Sequence, residues 1–208
     1  PPEWSSNPAQ PRQDKARLAA SSETQLSSAS DGHGERYSVF TPLVFLACTI
    51  MLFIEFWSNA EGANFDEPPT GTCHFRVAFL GQHFCAAAFS VNPLFGPATG
   101  VLLKLGAVYG TEIVEDGQVW RLITGMFLHG GAVHWLVNMA VLLVLGRSME
   151  HFHGAARVGS IYLLAGIFGS IASASFAPHL ISVGASGAIF GLIGAALGNI
   201  LLNWDVQA

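Results

Sequence analysis

The fold is decided by residues 158–204, which read VGSIYLLAGIFGSIASASFAPHLISVGASGAIFGLIGAALGNILLNW and contain no Asp, Glu, Lys or Arg. An uncharged stretch of this length must lie in lipid or in an unusually large protein core. The composition favours lipid, because 51% of the 208 residues are hydrophobic, only 11% are charged and the mean hydropathy is +0.45. The sequence therefore predicts an all-α, polytopic bundle of transmembrane helices.

Four apolar segments, working outward from this stretch, are predicted to span the membrane: about 40–57, 132–146, 158–176 and 187–203. The connections at 147–157 and 177–186 are short, so neighbouring spans run antiparallel and the second and fourth run in the same direction. The first of these connections carries two arginines and the second none. By the positive-inside rule the first is cytosolic, which places the N-terminus in the cytosol.

The segments around the spans differ in character. Residues 1–39 are rich in Ser, Pro, Gln and Ala and are predicted to form a disordered cytosolic tail, followed by a membrane domain over 40–208. Residues 59–131 form a large outer loop, in which we expect short surface helices over the uncharged part 77–103. Glu55, near the end of the first span, is expected to reach the headgroup region.

Composition and cysteine spacing exclude several classes of function. A net charge of −5 without a basic patch excludes nucleic-acid binding. Cys48, Cys73 and Cys85 form no CxxC motif and do not combine with histidines at zinc spacing, so we expect no metal and no cofactor. Cys73 and Cys85 share the outer loop, where a disulfide and two free thiols are equally open. The acidic residues of the tail favour the secretory pathway or plasma membrane over mitochondria.

Three polar side chains are candidates for chemistry. His134 and Asn138 stand four residues apart on one face of the second span, where their ordinary role is hydrogen bonding between helices. Ser186 stands where the fourth span begins, a position typical of a helix N-cap. Because the two spans are parallel, all three lie at a similar depth. A hydroxyl facing two donors suits acyl transfer, which needs an attacking oxygen and donors for the oxyanion.

The cluster lacks a general base. His134 beside an asparagine one turn away is typical of a donor pair, and no histidine follows His179. We therefore expect the base on a downstream helix and the 208 residues alone to be catalytically incomplete. Gly187 and Gly191 open the fourth span with small-xxx-small spacing, as do Gly194 and Gly198, and this spacing lets a neighbouring helix approach closely.

Two stretches resemble eukaryotic rhomboid proteases of the secretase type. One is WRLITGMFLHGGAVHWLVNM, which begins at Trp120, and the other is SVGASGAIFGLIGA, which carries Ser186. The combination of WR, HxxxxHxxxN and GxSG is highly specific, and the similarity runs from about Asn92 to the chain end. The resemblance implies a bundle of six or seven helices whose sixth carries the dyad histidine.

The resemblance also assigns roles to individual residues. Ser186 would be the nucleophile, and its backbone N–H would form the oxyanion hole with His134 and Asn138. Substrates would be single-span membrane proteins cleaved near the outer or lumenal face within the lipid bilayer. The supporting residues would be Trp120 and Arg121 in a half-submerged loop, His129 beneath that loop, and the glycines Gly184, Gly187 and Gly191 around the nucleophile.

Two other functions remain open at this level. A rhomboid-like pseudoprotease would bind and traffic membrane clients without cutting them, and the sequence of a downstream helix would identify it. A transporter or channel would use the intramembrane His and Asn as a relay or as ligands. The transporter hypothesis predicts more buried charge than residues 158–204 contain.

Overall fold

The computed structural model describes residues 38–61 and 63–204. The predicted tail, 1–39, lies outside the described residues except for its last two. The elements in chain order are α1 (Phe40–Ala60), β1 (Phe75–Phe79), β2 (Gln82–Ala86), α2 (Thr99–Leu105), α3 (Gly110–Glu115), α4 (Arg121–Thr124), α5 (Ala132–His153, with a π-helical stretch at Leu142–Gly146), α6 (Ala155–Phe176) and α7 (Ser186–Leu202).

Three of these helices, α1, α5 and α6, are long and apolar enough to cross a membrane. The fourth, α7, is apolar but has 17 residues, which corresponds to about 26 Å of helix. The predicted polytopic helical bundle is confirmed. The fourth span at 187–203 stays a prediction.

The connection predicted at 147–157 is much shorter than expected, and its cytosolic side stays a prediction. α5 continues to His153, and α6 begins at Ala155 after Gly154, whose φ of +82° breaks the helix. The reason lies in Glu150, whose carboxylate accepts hydrogen bonds of 2.6–2.9 Å from groups at the start of α1. The apolar run ends at Gly146, but the helix extends about two turns further and brings the Glu150 carboxylate to the N-terminus of α1.

The opposite end of the same helix pair carries a second carboxylate. Glu55 was expected at the headgroups, but it is fully buried, and its Oε1 accepts the backbone N–H of His129 over 2.7 Å. The expectation was wrong because the loop entering α5 supplies a donor that a buried carboxylate needs. Glu150 and Glu55 therefore tie α1 to α5 at both ends, which fixes the two helices as antiparallel neighbours.

Part of the outer loop is a β-hairpin where surface helices were expected. β1 and β2 pair antiparallel from Phe75 opposite Ala86 to Phe79 opposite Gln82, and Gly81 turns the chain with φ +74°. Apolar residues alternate along β1, which favours a half-exposed strand over a helix. The expectation for 77–103 therefore holds only at its end, where α2 begins.

A disulfide closes this hairpin region. Cys73 and Cys85 are bonded, with their Cα atoms 5.3 Å apart, so the structure decides between the two alternatives left open by the sequence. Cys48 lies buried in α1 as a free thiol.

The closest helix packing is between α6 and α7. A Cβ atom on Gly187 would lie 3.6 Å from Cα of Gly169, and one on Gly191 would lie 2.1 Å from Cβ of Ala165. Absence of side chains at these two glycines therefore allows the helices to touch. Gly194, by contrast, has no atom of the described residues within 4 Å of its Cβ position.

Candidate active site

The first donor of the site stands at the start of α5. The backbone N–H of Gly130 donates to Nδ1 of His134 over 3.2 Å. Because Nδ1 accepts this hydrogen bond, the neutral imidazole carries its proton on Nε2. His134 is therefore arranged as a hydrogen-bond donor through Nε2, and its role in an oxyanion hole stays a prediction.

The second donor, Asn138, lies one turn further along α5 on the same helix face. Its side chain is buried, and its Nδ2 has no hydrogen-bond partner within the described residues. A buried amide N–H without a partner is costly. This group is consequently free to bind an acceptor atom that a ligand brings.

Both donors converge on the backbone at Gly184. A Cβ atom there would lie 2.8 Å from Cε1 and 3.1 Å from Nε2 of His134, and 3.6 Å from Nδ2 of Asn138. Gly184 also has φ +122°, a conformation that side chains with a Cβ rarely adopt. Glycine is therefore required here on two grounds, and the space it leaves lies directly beside the two donors.

Ser186 follows two residues later as the first residue of α7 and is half-buried. It borders a cavity of about 110 Å³ that also touches Ser182 and the α6 residues Gly166 and Gly169. The hydroxyl of Ser186 has room on the α6 side and makes no hydrogen bond to His134 within the described residues. The two donors therefore adjoin Gly184, two residues before Ser186 in the chain, whereas the cavity at Ser186 is lined by neither donor.

Backbone pairing with the outer loop holds this junction in place. Val108 and Ser182 exchange two hydrogen bonds of 2.9 Å, and the N–H of Gly184 donates to the carbonyl of Gly125 over 2.8 Å. Ser182 and Gly184, just before Ser186, are therefore held by a segment that precedes α5.

Arg121 organises that segment. Its guanidinium is buried, donates to the carbonyls of Leu103 and Ala107 over 2.7 and 3.0 Å, and pairs with the carboxylate of Glu112. It also lies 4.8 Å from the ring of the half-exposed Trp120. The Trp-Arg pair thus joins α2, α3 and α4 around one cation, and the supporting role predicted for it remains an interpretation of this geometry.

His129 is buried between the outer loop and α1. Its Nδ1 lies 3.2 Å from the carbonyl of Phe127, and its Nε2 has no partner among the described residues. Burial, followed by the neighbouring imidazole of His134, lowers the pKa of His129 to about 4. The imidazole of His129 is therefore neutral near pH 7. Glu55 binds the backbone N–H of His129 and not its ring.

Sequence reasoning missed the residues that position the donors. Glu55 fixes the N–H of His129, the adjacent Gly130 fixes His134, and Val108 and Gly125 fix the loop before Ser186. Only Glu55 carried a signal, because a lone acid in an apolar span is costly without a partner. Within residues 38–61 and 63–204, His, Cys, Asp and Glu side chains form no group of three or more that could hold a metal ion.

Known proteins resemble this chain over the segment that contains the candidate active site. The family model described as Rhomboid domain matches residues 116–207, which include α5, α6 and α7. RHOMBOID-like protein 6, mitochondrial, from Arabidopsis thaliana is 39% identical over 171 residues, which are 80% of this chain and 53% of that protein. The chain spans about half the length of the first curated relatives it matches.

Two further relatives differ in what their names state. Rhomboid protease GluP from Bacillus subtilis (strain 168) is 44% identical over 105 residues, 50% of this chain and 20% of that protein. Inactive RHOMBOID-like protein 8 from Arabidopsis thaliana is 34% identical over 133 residues, 64% of this chain and 38% of that protein. On this sequence similarity and on its apolar helical bundle, the chain belongs to the rhomboid family.

Proposed function

We propose that the protein is a serine endopeptidase that cleaves single-span membrane proteins near the outer or lumenal face of the bilayer. The observation that carries the proposal is the convergence of two unengaged donors, Nε2–H of His134 and Nδ2–H of Asn138, beside the backbone that leads into Ser186. Donors prearranged around a developing oxyanion are the largest single contribution to acyl transfer.

In the proposed reaction, Oγ of Ser186 attacks the carbonyl carbon of the scissile peptide and gives its proton to a general base. The carbonyl oxygen becomes an oxyanion that accepts hydrogen bonds from His134, Asn138 and the Ser186 N–H. Collapse of this intermediate breaks the C–N bond, and the amine leaves with the proton. Water then hydrolyses the acyl-enzyme by the same steps.

The general base is proposed to come from outside the described residues. Nδ1 of His134 already accepts the N–H of Gly130, so this imidazole has no basic nitrogen left for the Ser186 proton. The family resemblance assigns the base to a histidine on a later helix. The activity proposed here is therefore that of the full-length gene product.

We further propose a membrane of the secretory pathway or the plasma membrane as the location. The Cys73–Cys85 disulfide supports this, because such bonds persist in oxidising compartments. A relative named as mitochondrial is the competing indication. Fractionation of the tagged full-length protein decides between them, and mitochondrial enrichment would reject our assignment.

Cleavage of a single-span reporter by the full-length protein in liposomes tests the proposed activity. Ser186→Ala should abolish cleavage, whereas Ser182→Ala, on the same loop, should retain it because Ser182 is held through its backbone. Asn138→Ala should lower kcat by about 10²–10³-fold. Normal cleavage by Ser186→Ala would refute the proposal.

A second candidate function is the binding of membrane clients without protease activity. It is supported by the similarity to a relative that is named as inactive. This candidate predicts that the wild-type protein retains the reporter and releases no product. Equal reporter binding by wild type and Ser186→Ala, with product from neither, would select it.

A further inference from the structure

The hairpin of β1 and β2 is amphipathic, and the same face of both strands is apolar. Cross-strand pairing places Val77 opposite Phe84 and Phe79 opposite Gln82, on one face with Phe75 and Ala86. The other face carries Arg76 and His83. The hairpin therefore has one apolar face and one polar face.

The polar face is partly covered by the preceding loop. Arg76 donates to the carbonyls of Asn64 and Glu67 over 3.1 and 2.7 Å, and His83 stacks on Phe65 with ring centroids 4.1 Å apart. The apolar face packs against α1 through Phe84, but its outer part, at Val77 and Phe79, is exposed. Together with the end of α1 it lines a groove of about 550 Å³, a size typical of ligand sites.

The groove offers an occupant almost no hydrogen bonds. Gln82 is the one polar side chain on its wall, and its Oε1 already accepts the indole N–H of Trp57 over 3.2 Å. The remaining wall consists mainly of aromatic and aliphatic carbon, including Phe53, Phe56 and Phe95. An occupant that matches this wall is a hydrocarbon chain, because an extended peptide would leave its backbone groups unpaired.

The position of the groove selects the source of that chain. Leu46, Ile50, Phe53 and Trp57 are exposed along one stripe of α1, a helix suited to cross the bilayer, and the stripe leads into the groove. Phe53 lies seven residues, about 10 Å, before the end of α1 at Ala60, which is within hydrocarbon depth. The bilayer-facing surface of α1 is thus continuous with the groove.

We propose that the hairpin and the end of α1 form a binding groove for the acyl chain of a lipid in the leaflet at the C-terminal end of α1. The hairpin lies over this chain with its apolar face toward the bilayer, and the Cys73–Cys85 disulfide braces it. This groove is separate from the cavity at Ser186, since no residue lines both.

The test is photolabelling of the full-length protein in phosphatidylcholine vesicles that contain phosphatidylcholine with a diazirine near the end of one acyl chain. Labelled residues are identified by mass spectrometry. We expect label on the groove-face residues Phe79 and Phe84 as well as on Phe168, a bilayer-facing control that is 68% exposed on α6. Label on Phe168 with none on the hairpin, or equal label on both hairpin faces, would overturn the proposal.

Two variants on adjacent residues provide a matched comparison. Phe79→Asp places a charge on the groove face and should lower labelling of Phe84 about tenfold or more, because a carboxylate is costly in hydrocarbon. Ala78→Asp places the same charge on the opposite, exposed side of the strand and should leave labelling of Phe84 unchanged. Unaltered labelling of Phe84 in both variants, with Phe168 labelled normally, would contradict the assignment even if the wild-type map agreed with it.

Discussion

Replacing Gly191 by valine should loosen the bundle at the contact between α6 and α7, and the same change at Gly194 should not. Both glycines lie on α7 within one turn of each other. A Cβ atom at Gly191 would stand 2.1 Å from Cβ of Ala165, whereas nothing in the described residues lies within 4 Å of the corresponding position at Gly194. The pair therefore separates steric crowding from the backbone effect of losing a glycine.

The size of the effect follows from the crowding. Ordinary contact requires at least 3.4 Å, so the two helices must separate by about 1.3 Å before the γ-carbons of valine are accommodated. Overpacking of this kind lowers the free energy of unfolding by about 1–3 kcal/mol. Because valine is branched, we expect the loss for Gly191→Val to lie near the upper end of this range. Gly194→Val should stay within about 0.5 kcal/mol of wild type.

Thermal unfolding in detergent with a thiol-reactive fluorophore measures this difference. Cys48 is buried and is the thiol left free by the disulfide, so its reaction with the dye reports loss of the α1 packing. At about 2–4 °C per kcal/mol, Gly191→Val should lower Tm by roughly 4–12 °C. Equal Tm values for the two variants would refute the close α6–α7 contact.

Further changes test the groups that join α1 to α5 by the same assay. Glu150→Ala removes the acceptor of the buried Thr41 N–H and hydroxyl and should cost about 2–4 kcal/mol. Glu55→Leu should cost about 1–3 kcal/mol because the N–H of His129 loses its acceptor, whereas Glu55→Gln keeps an acceptor oxygen and should cost less than about 1 kcal/mol. Equal losses for Leu and Gln would contradict this. The pKa of His129 is lowered to about 4, so between pH 6.5 and 4 the unfolded state binds a proton that the folded state excludes. Stability should therefore fall by up to about 3 kcal/mol as the pH drops through this window, and His129→Gln should flatten the profile.

Local patterns in the sequence were sufficient for part of this architecture. Apolar runs located the helices because hydrophobicity alone selects segments that enter a bilayer. The spacing of His134 and Asn138 placed both side chains on one helix face, since i and i+4 positions coincide in an α-helix. Ser186 was placed correctly at the start of α7 because the glycine-rich helix begins there.

Long-range partners explain what the sequence did not reveal. The carboxylate of Glu150 meets Thr41 across 109 residues, and that of Glu55 meets His129 across 74. Neither partner has a local signature, so the extension of α5 to His153 and the group that binds Glu55 could not be predicted. The hairpin was missed for a different reason, because an uncharged stretch with prolines masked the alternation of apolar residues along β1.

The central claim is that His134 and Asn138 stabilise negative charge that develops next to Ser186. Labelling the full-length gene product with a fluorophosphonate, which leaves a negatively polarised oxygen on the attacked serine, tests it most directly. We expect an adduct on Ser186, formed about 10²–10³-fold more slowly in Asn138→Ala and at the wild-type rate in the control Asn199→Ala. An adduct on another residue, or equal rates in both variants, would contradict the account.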